Sequence, residues 1–357
     1  MELSIVLQLA SALLISGFLV YLSIPVIVRI SEEKNLMDKP NKRKVNKKPI
    51  PNLGGVAIFI GIIIAVLLAI GRMEYNDLRY ILAAIIMLFF IGIKDDILII
   101  SPRMKFGVQT VCAIILIVLG DIRFTHLHGI FGIDVLSYTS SVVLSLITIV
   151  GLTNAFNLID GIDGLASGLG ILMSLLFGIF FFVWGHLEYV ILCAAIVGAL
   201  YSFSLYNLFG HRNKVFMGDT GSLIVGLLIA VMAIKFNEFS AGKSVYFAAP
   251  MLSMAIVFIP LGDMARVFII RLKNKKSPFS PDMTHLHHKY LALGYSHLHA
   301  SIVIVVLNLC VFVIIYTLRQ WNGYALLMLL ACFTAMLPYA PRVCAFVFHR
   351  VQNILSK

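Results

Sequence analysis

Long apolar runs, interrupted by short polar segments, dominate this chain from end to end. A helix needs about 20 mostly apolar residues to cross a bilayer. About eleven runs meet that length, at roughly 3–28, 51–71, 79–95, 105–121, 138–157, 164–184, 188–208, 218–236, 245–271, 300–318 and 322–347. The pattern predicts an all-α polytopic membrane protein, with residues 1–357 forming one integral membrane domain. Five motif-like polar segments fall at the same end of alternate runs. They are Asp38–Asn52, Ile93–Lys105, Asn154–Gly164, Tyr206–Ser222 and Arg271–Lys289.

Composition excludes an ordinary soluble domain. The chain is 60% hydrophobic and 13% charged, with a mean hydropathy of +0.98, which leaves too little polar surface to cover a globule. Ala10-Ser11-Ala12 resembles a signal-peptide cleavage site. It lies inside the first apolar run, and Glu2 replaces the usual early basic residue, so an uncleaved helix is expected.

Charge sets the orientation. Of the 28 Lys and Arg residues, 22 fall on the side of the five motifs and 6 on the other. The positive-inside rule therefore places the motifs in the cytoplasm. The net charge of +11 reflects topology and attraction to anionic lipid; it predicts membrane lipid as a partner and no nucleic acid. Cys112, Cys193, Cys310, Cys332 and Cys344 lie in apolar stretches without CxxC pairing and are expected to be small buried hydrophobes.

Asp95 and Asp96 are expected directly after an apolar helix, flanked by Lys94 and Lys105. Two adjacent carboxylates repel, so one holds a proton or both share a cation. Asn154, Asn157, Asp160 and Asp163 recur at i, i+3, i+6 and i+9, which on a helix marks one slowly rotating face. Gly161 and Gly164 then break that helix and admit a close ligand. A polar seam between helices is the bland alternative, but two amides and two carboxylates within ten residues are expensive for that purpose. As hard oxygen donors they suit Mg²⁺, or Mn²⁺.

Asp219 opens a span, where backbone N–H groups favour anions. It either caps the helix or holds a metal, and the two are compatible. His285, His287 and His288 follow a Pro-rich loop in basic surroundings, which favours contact with phosphate and sugar oxygens over a zinc site. Asp263 and Arg266, three apart, are expected to form a structural ion pair. His126 and His128 have no acidic or amide cluster beside them in the sequence and receive no role.

On these motifs the chain closely resembles the polyprenyl-phosphate N-acetylhexosamine 1-phosphate transferase family. The five segments match in order and the number of spans fits, so the resemblance covers nearly the whole chain. The runs from Asn154 to Leu165 and from Val215 to Ser222 are highly specific, and Ser277 to His288 narrows the match. The chain is most similar to the branch that transfers N-acetylglucosamine 1-phosphate to undecaprenyl phosphate. The branch acting on MurNAc-pentapeptide usually continues its histidines into a His-Phe-Glu-like ending, where this chain has Lys289-Tyr290. Met283 stands where the family often has a basic residue, and Asn46 where it often has His.

The resemblance implies an Mg²⁺-dependent enzyme of the bacterial cytoplasmic membrane. It would take UDP-GlcNAc and undecaprenyl or another polyprenyl phosphate, release UMP, and begin cell-envelope polysaccharide synthesis. It implies Asp219 and Asn157 as metal ligands, and Asp163, Asn207 and Phe216 as a uridine pocket with Phe216 stacked on uracil. It implies Asp95 and Asp96 at the lipid phosphate, and His285, His287, His288 and Lys48 at the pyrophosphate or sugar. Asp160 joins the catalytic set and Asn154 the substrate-binding set. Homodimerisation stays open. Two alternatives also remain: a phospho-MurNAc-pentapeptide transferase or another UDP-HexNAc 1-phosphate transferase, and a secondary transporter of an anionic sugar nucleotide or lipid. A transporter site belongs near the bilayer midplane between repeats, whereas these polar clusters lie at span ends.

Overall fold

The computed structural model describes residues 2–38, 49–71, 76–98, 100–277 and 284–344. Lys48, Asn46 and Met283 lie outside them. Thirteen α-helices account for nearly all of it: α1 Glu2–Glu33, α2 Gly54–Ile70, α3 Leu78–Leu98, α4 Pro102–Ile114, α5 Tyr138–Ile159, α6 Leu165–Trp184, α7 Leu187–Phe209, α8 Gly218–Phe239, α9 Ala249–Ile256, α10 Phe258–Lys273, α11 Leu286–Ala292, α12 His297–Thr317 and α13 Gly323–Met336. Among the described residues, extended pairing between strands is confined to β1 (Met37–Asp38) and β2 (Ile50–Pro51), antiparallel before α2.

Every predicted apolar run is mainly helical over its described residues. Eight helical stretches among the described residues are long and apolar enough to cross a membrane, and the bent pair Tyr246–Ile256 and Phe258–Lys273 makes a ninth. The other two depart from that standard for visible reasons. Helix α2 has only 17 residues, and α3 carries Lys94, Asp95 and Asp96 in its last turns. Polar chemistry has been built into the end of a span there.

Helix α8 is the centre of the packing. Its residues from Thr220 to Ile234 are all buried, surrounded by α2, α3, α5 and α6. Its all-round apolar character is what a fully enclosed helix requires. Helices α1 and α7 pack against each other and against α2, while α12 joins α6 to α9 and α10. Helix α13 lies at the periphery, with 17% of its most apolar window buried against 83% for α8.

The break between α9 and α10 turns the chain by 72° at Val257. Backbone groups freed inside a membrane need new partners. Asn308 of α12 supplies them: its Oδ1 accepts from Ile259 N (2.9 Å) and its Nδ2 donates to Ile256 O (2.8 Å). The cysteines divide differently from expectation. Cys112 and Cys193 are buried, but Cys310 and Cys332 are exposed on α12 and α13, where an apolar thiol can face lipid as readily as protein.

Candidate active site

Four helix ends converge where the motifs were expected to meet. Asp219, in the first turn of α8, lies between two neighbours. Asn157 of α5 donates to its Oδ1, and Lys105 of α4 approaches its Oδ2 at 2.7 Å. The same ammonium lies 2.6 Å from Asp95 Oδ2 on α3. One lysine thus bridges carboxylates from two helices. Asn157 also donates to Ser222 Oγ (2.8 Å), one turn further along α8.

Asp96 serves a different purpose from Asp95. Its carboxylate accepts from the backbone N–H groups of Asp219 (2.8 Å) and Thr220 (3.1 Å) and from the Thr220 hydroxyl (2.6 Å). It therefore caps α8 from a neighbouring helix, satisfying N–H groups that have no partner within α8. Asn52 donates to the Asp96 carbonyl at 3.1 Å, tying in the segment before α2. Gly218 makes this approach possible. Its φ is +69°, and a Cβ there would sit 2.1 Å from Asn52 O and 2.7 Å from Asp96 Oδ1.

The turn after α5 carries the next pair. The helix ends at Ile159, so Asn154 and Asn157 share a helical face while Asp160 and Asp163 belong to the turn; the predicted ten-residue helical stripe is only half helix. The Asp160 carboxyl has no hydrogen-bond partner among the described residues, while the residue's backbone N–H donates to Asn157 O. Its burial, followed by the charges of Asp219, Asp96 and Asp163, pushes its carboxyl up to about 8. Asp163 lies the other way. Burial raises its carboxyl, but His297 and Lys214 outweigh that and hold it below the usual range. Asn207 fastens this turn by accepting from Gly164 N (2.7 Å) and donating to Val215 O (2.9 Å). Asn154 exchanges amide hydrogen bonds with Gln109 of α4. Phe216 is half-buried, its backbone paired with Pro51 and Gly54.

The histidine loop docks on the far side of that turn. Asp263 and Arg266 form the expected pair at 2.6 Å, and Asp263 does more besides. It takes His285 Nδ1 at 2.8 Å and accepts from Leu286 N at 3.0 Å, fixing the start of α11 to α10. His287 is buried, and its ring fills the space that a Cβ on Gly161 would need, with Nε2 only 2.2 Å from that position. Burial, then His288 and His285, lowers the His287 imidazole to about 3, so it stays neutral. The His287 and His288 ring centroids are 4.2 Å apart.

Residues 78–237 match the model of Glycosyl transferase family 4. Three relatives align over most of the chain. A Bacillus subtilis (strain 168) protein named "Probable undecaprenyl-phosphate N-acetylglucosaminyl 1-phosphate transferase" is 31% identical, over 85% of this chain and 82% of its own. The Escherichia coli (strain K12) undecaprenyl-phosphate alpha-N-acetylglucosaminyl 1-phosphate transferase is 32% identical, over 77% and 74%. The Mycobacterium tuberculosis (strain ATCC 25618 / H37Rv) decaprenyl-phosphate N-acetylglucosaminephosphotransferase is 30% identical, over 83% and 79%. The chain belongs to glycosyl transferase family 4.

For this family 4 chain, the structure brings Asp95, Asp96, Asn157 and Asp219 together as one constellation. Asp160, Asp163 and His287 sit on the adjoining turn or against it, whereas Asn154, Asn207 and His285 have hydrogen bonds within the scaffold. Asp95 and Asp96 are inside α3 rather than after it, and they point at different partners instead of sharing a cation with each other. Sequence reasoning gave no role to Lys105, Thr220, Lys214 or His297. Lys105 had a legible signal, being a cation with Arg103 at the mouth of an apolar run. His297 had none, because its partner Asp163 is 134 residues away.

Proposed function

We propose that this protein transfers N-acetylglucosamine 1-phosphate from UDP-GlcNAc to a polyprenyl phosphate, releasing UMP, as the first membrane step of cell-envelope polysaccharide synthesis. The observation that carries this reading is Lys105 held between Asp95 and Asp219 beside Asn157, at the basic end of the spans. The names of the relatives support the donor sugar and the acceptor class. The charge distribution supports a site facing the cytoplasm of a bacterial inner membrane.

The acceptor phosphate oxygen attacks the sugar-bearing phosphorus. The bond from that phosphorus to the bridging oxygen breaks, and the electron pair leaves on UMP. A phosphate monoester has a second pKa of about 6, so the acceptor is largely dianionic at neutral pH and has little need of a base. The geometry agrees. Asp96 spends both oxygens on the start of α8, and Asp95 spends its own on Ile100 N (2.7 Å) and Lys105. Both act by positioning.

The donor set of Asp219, Asn157, Asp95 and Asp160 is hard oxygen with a surplus of negative charge, and it fits Mg²⁺ or Mn²⁺. Mg²⁺ usually binds through one or two carboxylates together with substrate phosphates, so the substrate would supply the remaining oxygens. Asp219 and Asn157 would hold the metal, and its charge would stabilise the pyrophosphate and the departing UMP. Lys105 keeps Asp95 and Asp219 together and presents an ammonium to incoming phosphate. Asp163 and Phe216 receive the uridine, and His287 and His288 approach the sugar phosphate from the opposite wall.

Purified protein, a panel of UDP-sugars and undecaprenyl phosphate test the proposal. Lipid-linked GlcNAc and stoichiometric UMP are expected from UDP-GlcNAc alone, and EDTA should abolish both. Product only from UDP-MurNAc-pentapeptide would move the chain to the other branch, and no lipid-linked product from any sugar would reject the transferase reading.

A further inference from the structure

Asp163 is held from two sides, and the holding is asymmetric. Lys214, in the segment between α7 and α8, places Nζ 2.7 Å from Asp163 Oδ2. His297, in the first turn of α12, places Nδ1 2.9 Å from the same oxygen. Ser301, one turn further along α12, donates to the Asp163 backbone carbonyl at 2.8 Å. Both side-chain donors therefore converge on Oδ2, while Oδ1 accepts from no described residue. Two elements distant in sequence, the segment before α8 and α12, hold one oxygen of the carboxylate and leave the other presented.

We infer that His297 is a positioning residue for donor recognition: it orients Asp163 so that Oδ1 accepts a hydrogen bond from the nucleobase of the UDP-sugar. This rests on the donor-site reading of Asp163 given above. The chemistry fits that ligand. A carboxylate oxygen only accepts, and uracil offers one ring N–H, at N3, which cytosine lacks. A lone carboxylate on a turn rotates, and an unfixed acceptor loses the geometry that distinguishes the two bases. His297 does this through Nδ1, and Lys214 supplies charge without direction, because an ammonium is a point cation and an imidazole N–H is a directed donor. Ser301 holds the backbone beneath, so α12 carries the device as a unit.

Full-length protein in detergent or nanodiscs, assayed with UDP-GlcNAc and undecaprenyl phosphate, tests the inference. His297→Ala should raise the KM for UDP-GlcNAc by about tenfold, the scale of one lost hydrogen bond to a charged group. The kcat and the KM for undecaprenyl phosphate should hold. Inhibition by UMP should weaken in the same proportion, so that the preference for UMP over CMP shrinks. His297→Asn should restore both, because its Nδ2 occupies the place of the imidazole Nδ1, and His297→Gln should not. His299→Ala, an exposed histidine in the same helical turn whose Nδ1 contacts Ser296 Oγ at 2.7 Å, controls for disturbance of the helix start.

Asp163→Asn separates the two layers of the argument. If it raises the donor KM and narrows the UMP preference while His297→Ala does neither, His297 is not the positioning residue and the donor reading stands. If Asp163→Asn leaves both unchanged, the donor reading of Asp163 falls and the inference with it. A fall in kcat with an unchanged donor KM in His297→Ala, or equal effects of His297→Asn and His297→Gln, would also overturn it. Should His297→Ala fail to fold, the Asn and Gln variants alone decide the question.

Discussion

Two clusters in this molecule each centre on an aspartate, Asp219 in the first turn of α8 and Asp263 within α10, and their charge balances differ. Asp263 receives Arg266 at 2.6 Å, His285 at 2.8 Å and a backbone N–H at 3.0 Å, and its charge is met in full. Around Asp219, the carboxyl groups of Asp95, Asp96, Asp160 and Asp219 gather with Lys105 as the cation that bridges two of them. A balanced cluster fastens the scaffold. An unbalanced one stores a demand for positive charge, which on the proposed reading a substrate-bound cation would meet. From the sequence, Asp263 and Arg266 were expected to form a structural ion pair and Asp219 to cap its helix or hold a metal.

The largest expected effect sharpens this contrast. Asp219→Asn or Asn157→Ala should lower turnover by more than about a thousandfold, the scale of removing one strong electrostatic contributor at a phosphoryl-transfer centre. Thermal stability should hold or rise in Asp219→Asn, because it relieves like-charge repulsion. Turnover of either variant near wild type at saturating substrates would break the comparison at its active end.

Asp263→Ala should do the reverse in stability. It leaves Arg266 buried without its anion, a loss of about 3–5 kcal/mol. Differential scanning in detergent should show a large fall in Tm, with lost activity tracking lost folded protein. An Asp263→Ala variant that keeps its Tm yet loses turnover would place Asp263 among the catalytic groups.

Much of this contrast could be read from the sequence. The apolar runs gave the helices of every span, though not α11, because a membrane span must satisfy its backbone internally and carries a long uniform signal. Asp219, Asn157 and the paired Asp95 and Asp96 were legible because charged and amide groups at span ends are costly. What stayed hidden was pairing. Asp95 and Asp96 are adjacent in sequence yet serve different helices, since consecutive residues on a helix point about 100° apart. The role of Asp263 in holding His285 depends on α10 folding back beside α11, and that of His297 on α12 meeting the turn after α5. The break at Val257 had a legible signal in Pro260, which has no N–H to offer the Ile256 carbonyl four residues earlier; the amide of Asn308 that takes that carbonyl instead was hidden.

Smaller effects concern the groups between the clusters. His287→Ala should reduce turnover by about ten- to a hundredfold at unchanged fold, within the range of a single phosphate contact. His287 is neutral in the fold down to about 3 and ionises near 6.5 when unfolded. The unfolded chain therefore binds the extra proton between those values, and stability should fall as pH drops through that window. The fall should be shallower in His287→Ala, and an unchanged slope would show that the ring is not buried as described.

Asp160 provides the opposite sign. Its carboxyl is raised from 3.8 to about 8, so the folded protein binds the extra proton and stability should decline as pH rises through that interval. In metal-free buffer, Asp160→Asn should flatten the decline in Tm from pH 6 to 8.5. Saturating Mg²⁺ should flatten it in the wild type, by supplying the cation the cluster lacks. If Asp160→Asn retains the full pH slope, Asp160 does not belong to the surplus.

The central claim is single displacement between two phosphates at the Asp219 cluster, and isotope exchange tests it most directly. One phosphoanhydride is broken and one made, so the equilibrium constant should lie within about two powers of ten of unity, at most ~3 kcal/mol. Labelled UMP should enter UDP-GlcNAc in the presence of Mg²⁺ and undecaprenyl phosphate, and should fail to enter when the lipid is omitted. Exchange without the lipid would reveal a covalent sugar-phosphate intermediate on the enzyme, and absence of exchange under both conditions would contradict the transferase itself.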